Sequence, residues 1–113
     1  MIKRKEQMNH TARANMRGGN GTIRGVTVFE QEELPKTRVY SVMTFQPGDS
    51  IGPHPHTGEG ESYLILEGEA VVTEDGVDYL LHAGDAEYCS DGHVHAVANQ
   101  SDRPMCLLAI VML

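Results

Sequence analysis

Turn signals punctuate this sequence at intervals too short for helices. Val26–Phe29 is followed by an acidic run and Pro35, and Arg38–Phe45 ends at Pro47-Gly48. Ser62–Leu66 precedes Glu67-Gly68, and Ala70–Thr73 runs into Glu74-Asp75-Gly76, a hairpin turn. Val77–Leu81, Ala86–Cys89, His95–Ala98 and Cys106–Leu113 continue the series. Roughly seven to nine short strands with turns between them predict an all-β sandwich or barrel. Tyr63–Leu66 and Leu107–Leu113 do not alternate polar with apolar residues, so both faces of these strands are expected to be covered. A barrel interior covers one face. The other needs a second sheet, the N-terminal segment or another subunit. Met43, Phe45, Ile65, Val97 and Ile110 are read as barrel packing.

At 113 residues the chain suits one small domain. Its longest apolar run, Met105–Leu113, has the length of a strand and falls well short of the roughly 20 residues of a membrane-spanning helix. Lys3, Arg4 and Lys5 open the chain without an apolar stretch behind them, which argues against a secretory signal. Cys89 and Cys106 form neither a disulfide framework nor a paired-cysteine zinc motif, and a cytoplasmic setting is expected.

The formal charge is −7, unevenly spread. Lys3, Arg4, Lys5, Arg13, Arg17 and Arg24 are six of the nine cations and lie in the first 24 residues beside one acid, Glu6. The rest of the chain holds three cations and fifteen acids. The sequence therefore divides into a basic N-terminal arm, residues 1–24, and a barrel domain, residues 25–113. The arm has no aromatic residues to stack on bases, so nucleic acid is not expected as a partner. Packing on an acidic body, its own or a partner's, is the favoured reading. Met8, Ala12 and Met16 recur at spacing four and give residues 1–17 a weak helical character, ended by Gly18, Gly19 and Gly21.

The histidines carry the chemistry. His54 and His56 are at i and i+2, which on a strand puts both rings on one face. Glu61 follows after a flexible stretch, and His95 lies beyond two further turns. Three imidazoles and one carboxylate suit a borderline divalent metal, Mn2+, Fe2+, Ni2+, Co2+ or Zn2+, with coordination positions left open for a ligand. His93 is two residues from His95; its ordinary reading is a turn or rim residue. His82 reads as a strand-end residue and His10 as part of the arm. Tyr63 shares the strand face of Glu61 and is read as either a pocket or a core residue, and Tyr88 likewise. Cys106 reads as an inert buried thiol.

These residues stand at informative spacings. Gly48-(x5)-His54-x-His56-(x4)-Glu61-(x6)-Gly68 matches the first cupin motif at every fixed position. Gly84-(x5)-Ser90-x-Gly92-(x2)-His95-(x3)-Asn99 matches the second, except that Ser90 replaces a proline. The sequence resembles a single-domain cupin, which implies a conical jelly-roll barrel with a metal in its wider mouth. The resemblance implies His54, His56, Glu61 and His95 as ligands. The four motif glycines are expected at turns with positive φ or at close backbone approaches.

Cupins carry many activities, and the fold does not choose between them. The ligand set and the segments Gly84–Cys89 and Gly92–Asn99 resemble manganese oxalate decarboxylases and germin-like proteins. That likeness implies Mn2+, oxalate or a similar small carboxylate as ligand, and decarboxylation to formate and carbon dioxide. The pattern departs from the decarboxylases at one point: Ile51 stands where they carry an arginine three residues before the first motif histidine. Arg38 and Glu59 are candidate substitutes, as carboxylate-binding and proton-donating groups, against ordinary surface readings for both. A metal-dependent dioxygenase and a non-enzymatic ligand- or metal-binding module remain as alternatives. The resemblance further implies a homodimer of back-to-back barrels, with the N-terminal arm reaching onto the partner.

Overall fold

Short β-forming runs between glycine turns produce ten strands, described over residues 1–113 in a computed structural model. They are β1 (Asn9–Ala14), β2 (Thr22–Thr27), β3 (Thr37–Phe45), β4 (Ser50–Pro55) and β5 (Gly60–Glu67). The second half adds β6 (Glu69–Glu74), β7 (Val77–His82), β8 (Ala86–Cys89), β9 (Val94–Ala98) and β10 (Met105–Met112). Six strands form one sheet in the order β1-β2-β3-β10-β5-β8, and four form a second in the order β4-β9-β6-β7. Every pairing is antiparallel. No helix is long and apolar enough to cross a membrane.

The two sheets face one another across a core built on strand period. Along β10, Met105, Leu107, Ala109 and Val111 are buried, and the residues between them are half-buried or exposed. Phe45, Ile65, Val72 and Val97 meet them from the other strands. Ile110, expected inside, lies on the outer face because it falls on the opposite parity from Ala109 and Val111. A row of register partners, Val26, Val42, Leu108 and Leu64, crosses the outer face of the six-stranded sheet, each of them half-buried.

All four motif glycines have positive φ, from 77° at Gly68 to 95° at Gly84. At Gly68 there is a second reason: a Cβ would press on the carbonyl oxygen of Pro104. Asn99 closes the second motif for a reason that spacing alone does not show. Its buried amide donates to the carbonyls of Phe45 (3.0 Å) and Arg103 (2.7 Å), and its oxygen accepts from the backbone and hydroxyl of Ser101. It ties the turn before β10 to the end of β3.

The N-terminal segment differs from expectation. Only single 3-10 turns occur, at Lys5–Gln7 and Met16–Gly18, and the spacing of Met8, Ala12 and Met16 does not make a helix. A short isolated helix has little stability without a face to pack on. Here β1 instead pairs with β2 over its whole length, and the hairpin extends the six-stranded sheet. The anticipated boundary between residues 24 and 25 falls inside β2. The attraction between basic segment and acidic body appears within the chain: Lys3 Nζ lies 2.6 Å from a Glu33 carboxylate oxygen, and Asn9 donates to Glu30 at 2.7 Å.

Candidate metal centre

β4 and β9 are neighbours, and His54 and His95 are direct register partners on them. A bulge between Ile51 and His54 takes up Gly52 and Pro53, residues a regular strand accommodates poorly, and sets the aim of the histidines beyond it. His56 follows two residues later on the same buried face. Glu61 comes from β5 in the opposing sheet. The site is thus closed by the two sheets facing each other, and all four side chains are buried.

The four functional groups converge. His56 Nε2 and His95 Nε2 are 3.1 Å apart, and each is 3.0 Å from Glu61 Oε1. His54 Nε2 is 3.5 Å from the same oxygen. Every Nδ1 is turned outward to an oxygen: His54 donates to the Gly52 carbonyl at 2.9 Å, His56 to Glu59 at 3.1 Å, and His95 to Glu87 at 3.0 Å. Carbonyls and carboxylates can only accept, so each Nδ1 carries a proton. The neutral rings then aim three Nε2 lone pairs at one carboxylate oxygen. Such a set is repulsive unless something positive lies in its middle.

Protons can fill that role, and the surroundings of the site favour positive charge there. Burial works against a charge on His95, but hydrogen bonds to Glu61 and Glu87 outweigh it and push its pKa up to about 9. Burial likewise opposes the Glu61 carboxylate, yet the hydrogen bonds of His54 and His95 and the charges of His95 and His56 hold it at about 2. A divalent ion fills the role as well. Donors held in adjacent positions at about 2.1 Å from one ion lie about 3 Å apart, close to the spacings found. His54, His56, Glu61 and His95 can therefore hold a metal ion.

Glu87 escaped the sequence reading. Its role depends on the register of β8 with β5, which sets Glu87 opposite Tyr63 on the inward face. Both of its oxygens lie within 3.1 Å of His95 Nδ1. Carboxylates so placed fix ring orientation and raise the basicity of the ligating nitrogen. Glu87→Gln is expected to weaken metal binding about tenfold with the fold intact, as read by competition with a chelating dye.

Tyr63 is buried and stacks on His95, with ring centroids 4.7 Å apart and planes within 6°. Burial first, then the Glu61 charge, pushes its phenol well above the usual value. Its two readings merge, since it lines the cavity and packs the core. Tyr88 is not brought to the site: register puts it with Ser62 on the outer face, half exposed. Arg38, on the cavity wall, and Glu59 are brought together. Arg38 Nε and Nη2 donate to the two Glu59 oxygens at 2.8 and 2.6 Å. Arg38 holds the Glu59 carboxyl at about 2, so Glu59 is a carboxylate here and has no proton to give. His93 pairs with Asp75 at 2.6 Å, outside the site, and His82 and His10 are exposed. Cys89 is buried, and burial with the charge of Glu87 pushes its thiol up to about 11, unsuited to nucleophilic chemistry.

The cavity measures about 270 Å3. His54, His56, Glu61, Tyr63 and Arg38 line it from the barrel, with Ile51 contributing an apolar side chain. Thr11, Arg13, Met16 and Arg17 line it from the N-terminal hairpin.

Two sheets enclosing three histidines and a glutamate define the chain's class. The model of the cupin domain matches residues 41–111, and this chain belongs to the cupin family. It is similar along its whole length to the oxalate-binding protein of Thermotoga maritima, with 33% identity over 114 residues and 94% of that protein covered. The crystal structure of a predicted oxalate decarboxylase from Thermotoga maritima superposes with a TM-score of 0.94 at 33% identity, covering 100% of this chain and 99% of that one. A shorter likeness, 41% over 69 residues, covers 60% of this chain and 45% of the dimethylsulfoniopropionate lyase DddW of Ruegeria pomeroyi.

Proposed function

We propose that this chain holds one divalent metal ion, Mn2+ in the first instance, through His54, His56, Glu61 and His95, and binds oxalate or a similar small carboxylate there. The observation that carries the reading is the convergence of three Nε2 atoms and one carboxylate oxygen, with every Nδ1 already occupied. A divalent ion with one carboxylate ligand leaves net positive charge, which attracts a small dianion. The full-length likeness to an oxalate-binding protein supports oxalate itself.

The activity proposed is decarboxylation, in which oxalate takes up one proton and splits into formate and carbon dioxide. When bound, the metal supplies a Lewis-acid and redox centre for a carboxylate and dioxygen. Arg38 supplies a guanidinium to orient a carboxylate, in place of the arginine absent at Ile51. Tyr63 holds the His95 ring in plane, and Glu59 holds His56. Both Glu59 oxygens are taken up by Arg38, so Glu59 becomes a proton donor only after a substrate carboxylate draws Arg38 away. That engagement favours a second reading, a module that binds the carboxylate without turning it over.

Calorimetry of Mn-loaded protein with oxalate, and formate assays under air and under nitrogen, separate these readings. Oxalate binding with formate formed under air supports decarboxylation. Binding without formate supports the second reading. Oxygen consumption without formate on other small acids points to a dioxygenase. Failure to bind oxalate at millimolar concentration rules out the substrate assignment and leaves the metal centre standing.

The protein partner proposed is a second copy of the chain, in a cytoplasmic setting that suits two free thiols. The half-buried apolar row Val26, Val42, Leu108 and Leu64 on the outer sheet face supports it, because burying that row further would provide association energy. Light scattering at micromolar concentration is expected to give a dimer mass, and Leu108→Glu a monomer. A monomeric full-length protein would overturn the assignment.

A further inference from the structure

The cations of the N-terminal segment have no role in the metal centre, yet two of them, Arg13 and Arg17, line the same cavity as His54, His56 and Glu61. We infer that the ligand of this pocket is longer than oxalate and carries two anionic ends, one at the His54/His56/Glu61/His95 centre and one at Arg13 and Arg17 of the N-terminal hairpin. The inference rests on the reading of a carboxylate at the metal centre and extends it to the rest of the cavity.

Size is the first argument. A cavity of about 270 Å3 has room for roughly nine water molecules at about 30 Å3 each, far more than a two-carbon dianion displaces. Its lining is graded. The metal-centre residues on it are buried, and the two arginines are exposed. Apolar Ile23, Met43 and Ile51 line it too, and they suit a short hydrocarbon spacer.

Charge is the second argument. Arg38, the third arginine on the lining, is paired with Glu59 and meets a carboxylate only when that pair opens. Arg13 and Arg17 form no ion pair with any carboxylate of the chain. In a protein of net charge −7, two unpaired guanidiniums facing one cavity are an anion site of the kind carboxylates fit bidentately.

The segment that carries them is also held in place. Met16, between the two arginines, packs on the barrel core. Gly19 and Gly52 bring the hairpin end against β4 so closely that a Cβ on either would overlap backbone atoms of the other segment. Asn15 and Arg17 both adopt left-handed backbone, with φ of 53° and 52°. Left-handed backbone at these two positions shapes the turn that carries Arg17.

The test is calorimetry of the full-length, metal-loaded protein with oxalate, malonate, succinate and glutarate, repeated on Arg13→Gln/Arg17→Gln. Lys5→Gln/Arg24→Gln is the control, removing the same charge from residues that do not line the cavity. One of the longer diacids is expected to bind at least about tenfold tighter than oxalate. The Arg13/Arg17 variant should lose that gain and keep oxalate affinity within about threefold, and the control should behave as wild type. Circular dichroism and metal content establish that each variant is folded and loaded. Oxalate binding tightest, or equal loss of oxalate and longer diacids in the Arg13/Arg17 variant, overturns the two-ended ligand and leaves oxalate at the metal. If no carboxylate binds, including oxalate, both readings fail.

Discussion

Alanine in place of His95 is expected to cost the protein its metal ion and much of its stability together. His95 is fully enclosed, offers Nε2 to the centre and Nδ1 to Glu87, and supports the Tyr63 ring by stacking. Losing one of four donors should weaken metal binding about 100-fold or more, beyond the effect of removing a supporting carboxylate. The substitution also leaves Glu61 and Glu87 facing an emptied space. Breaking a buried charge pair by removing one partner costs about 3 kcal/mol or more, because the remaining charge is uncompensated. Two measurements separate the effects. Elemental analysis after dialysis should find metal in the wild type and little in His95→Ala. Thermal unfolding should show a lower midpoint for the variant even without metal, and no rise on adding it. His82→Ala, at an exposed position beside Glu69, should change neither quantity.

Gly52→Ala is expected to be nearly as damaging, for a reason confined to the backbone. A Cβ at this position overlaps the carbonyl of Arg17 and crowds the amide of Gly19. Backbone atoms cannot turn aside as a flexible side chain can, so the hairpin end must lift off β4. Overpacking of this kind costs about 1–3 kcal/mol. Lifting the hairpin also opens the cavity wall that carries Arg13, Met16 and Arg17. A loss of that size in urea unfolding, with metal stoichiometry kept but ligand affinity reduced, is the expected pattern. Gly19→Ala meets the Ser50 carbonyl from the opposite side and should match it. Wild-type stability in both would mean that the hairpin does not seal on β4.

The parts legible in the sequence were those fixed by local spacing. His54 and His56 share a face because strand period is two, and β8 ran from Ala86 to Cys89 as the turns on either side required. The parts that were not legible depended on partners distant in sequence. β4 was hidden because Gly52, Pro53 and Pro55 interrupt the strand pattern, and a bulge accommodates them. β1 was hidden because Asn9–Ala14 is almost wholly exposed and carries no alternation of its own; pairing with β2 makes it a strand. Glu87 and Tyr88 were indistinguishable in kind until the register of β8 on β5 turned one inward and the other out. Cys89, two residues after Glu87 and of a type usually buried, offered a parity signal.

Anomalous diffraction from crystals of the Mn-loaded protein tests the metal centre itself. One peak per chain is expected, about 2.1 Å from the Nε2 atoms of His54, His56 and His95 and beside Glu61 Oε1. A peak elsewhere, or full metal stoichiometry retained in His54→Ala/His95→Ala, would contradict it.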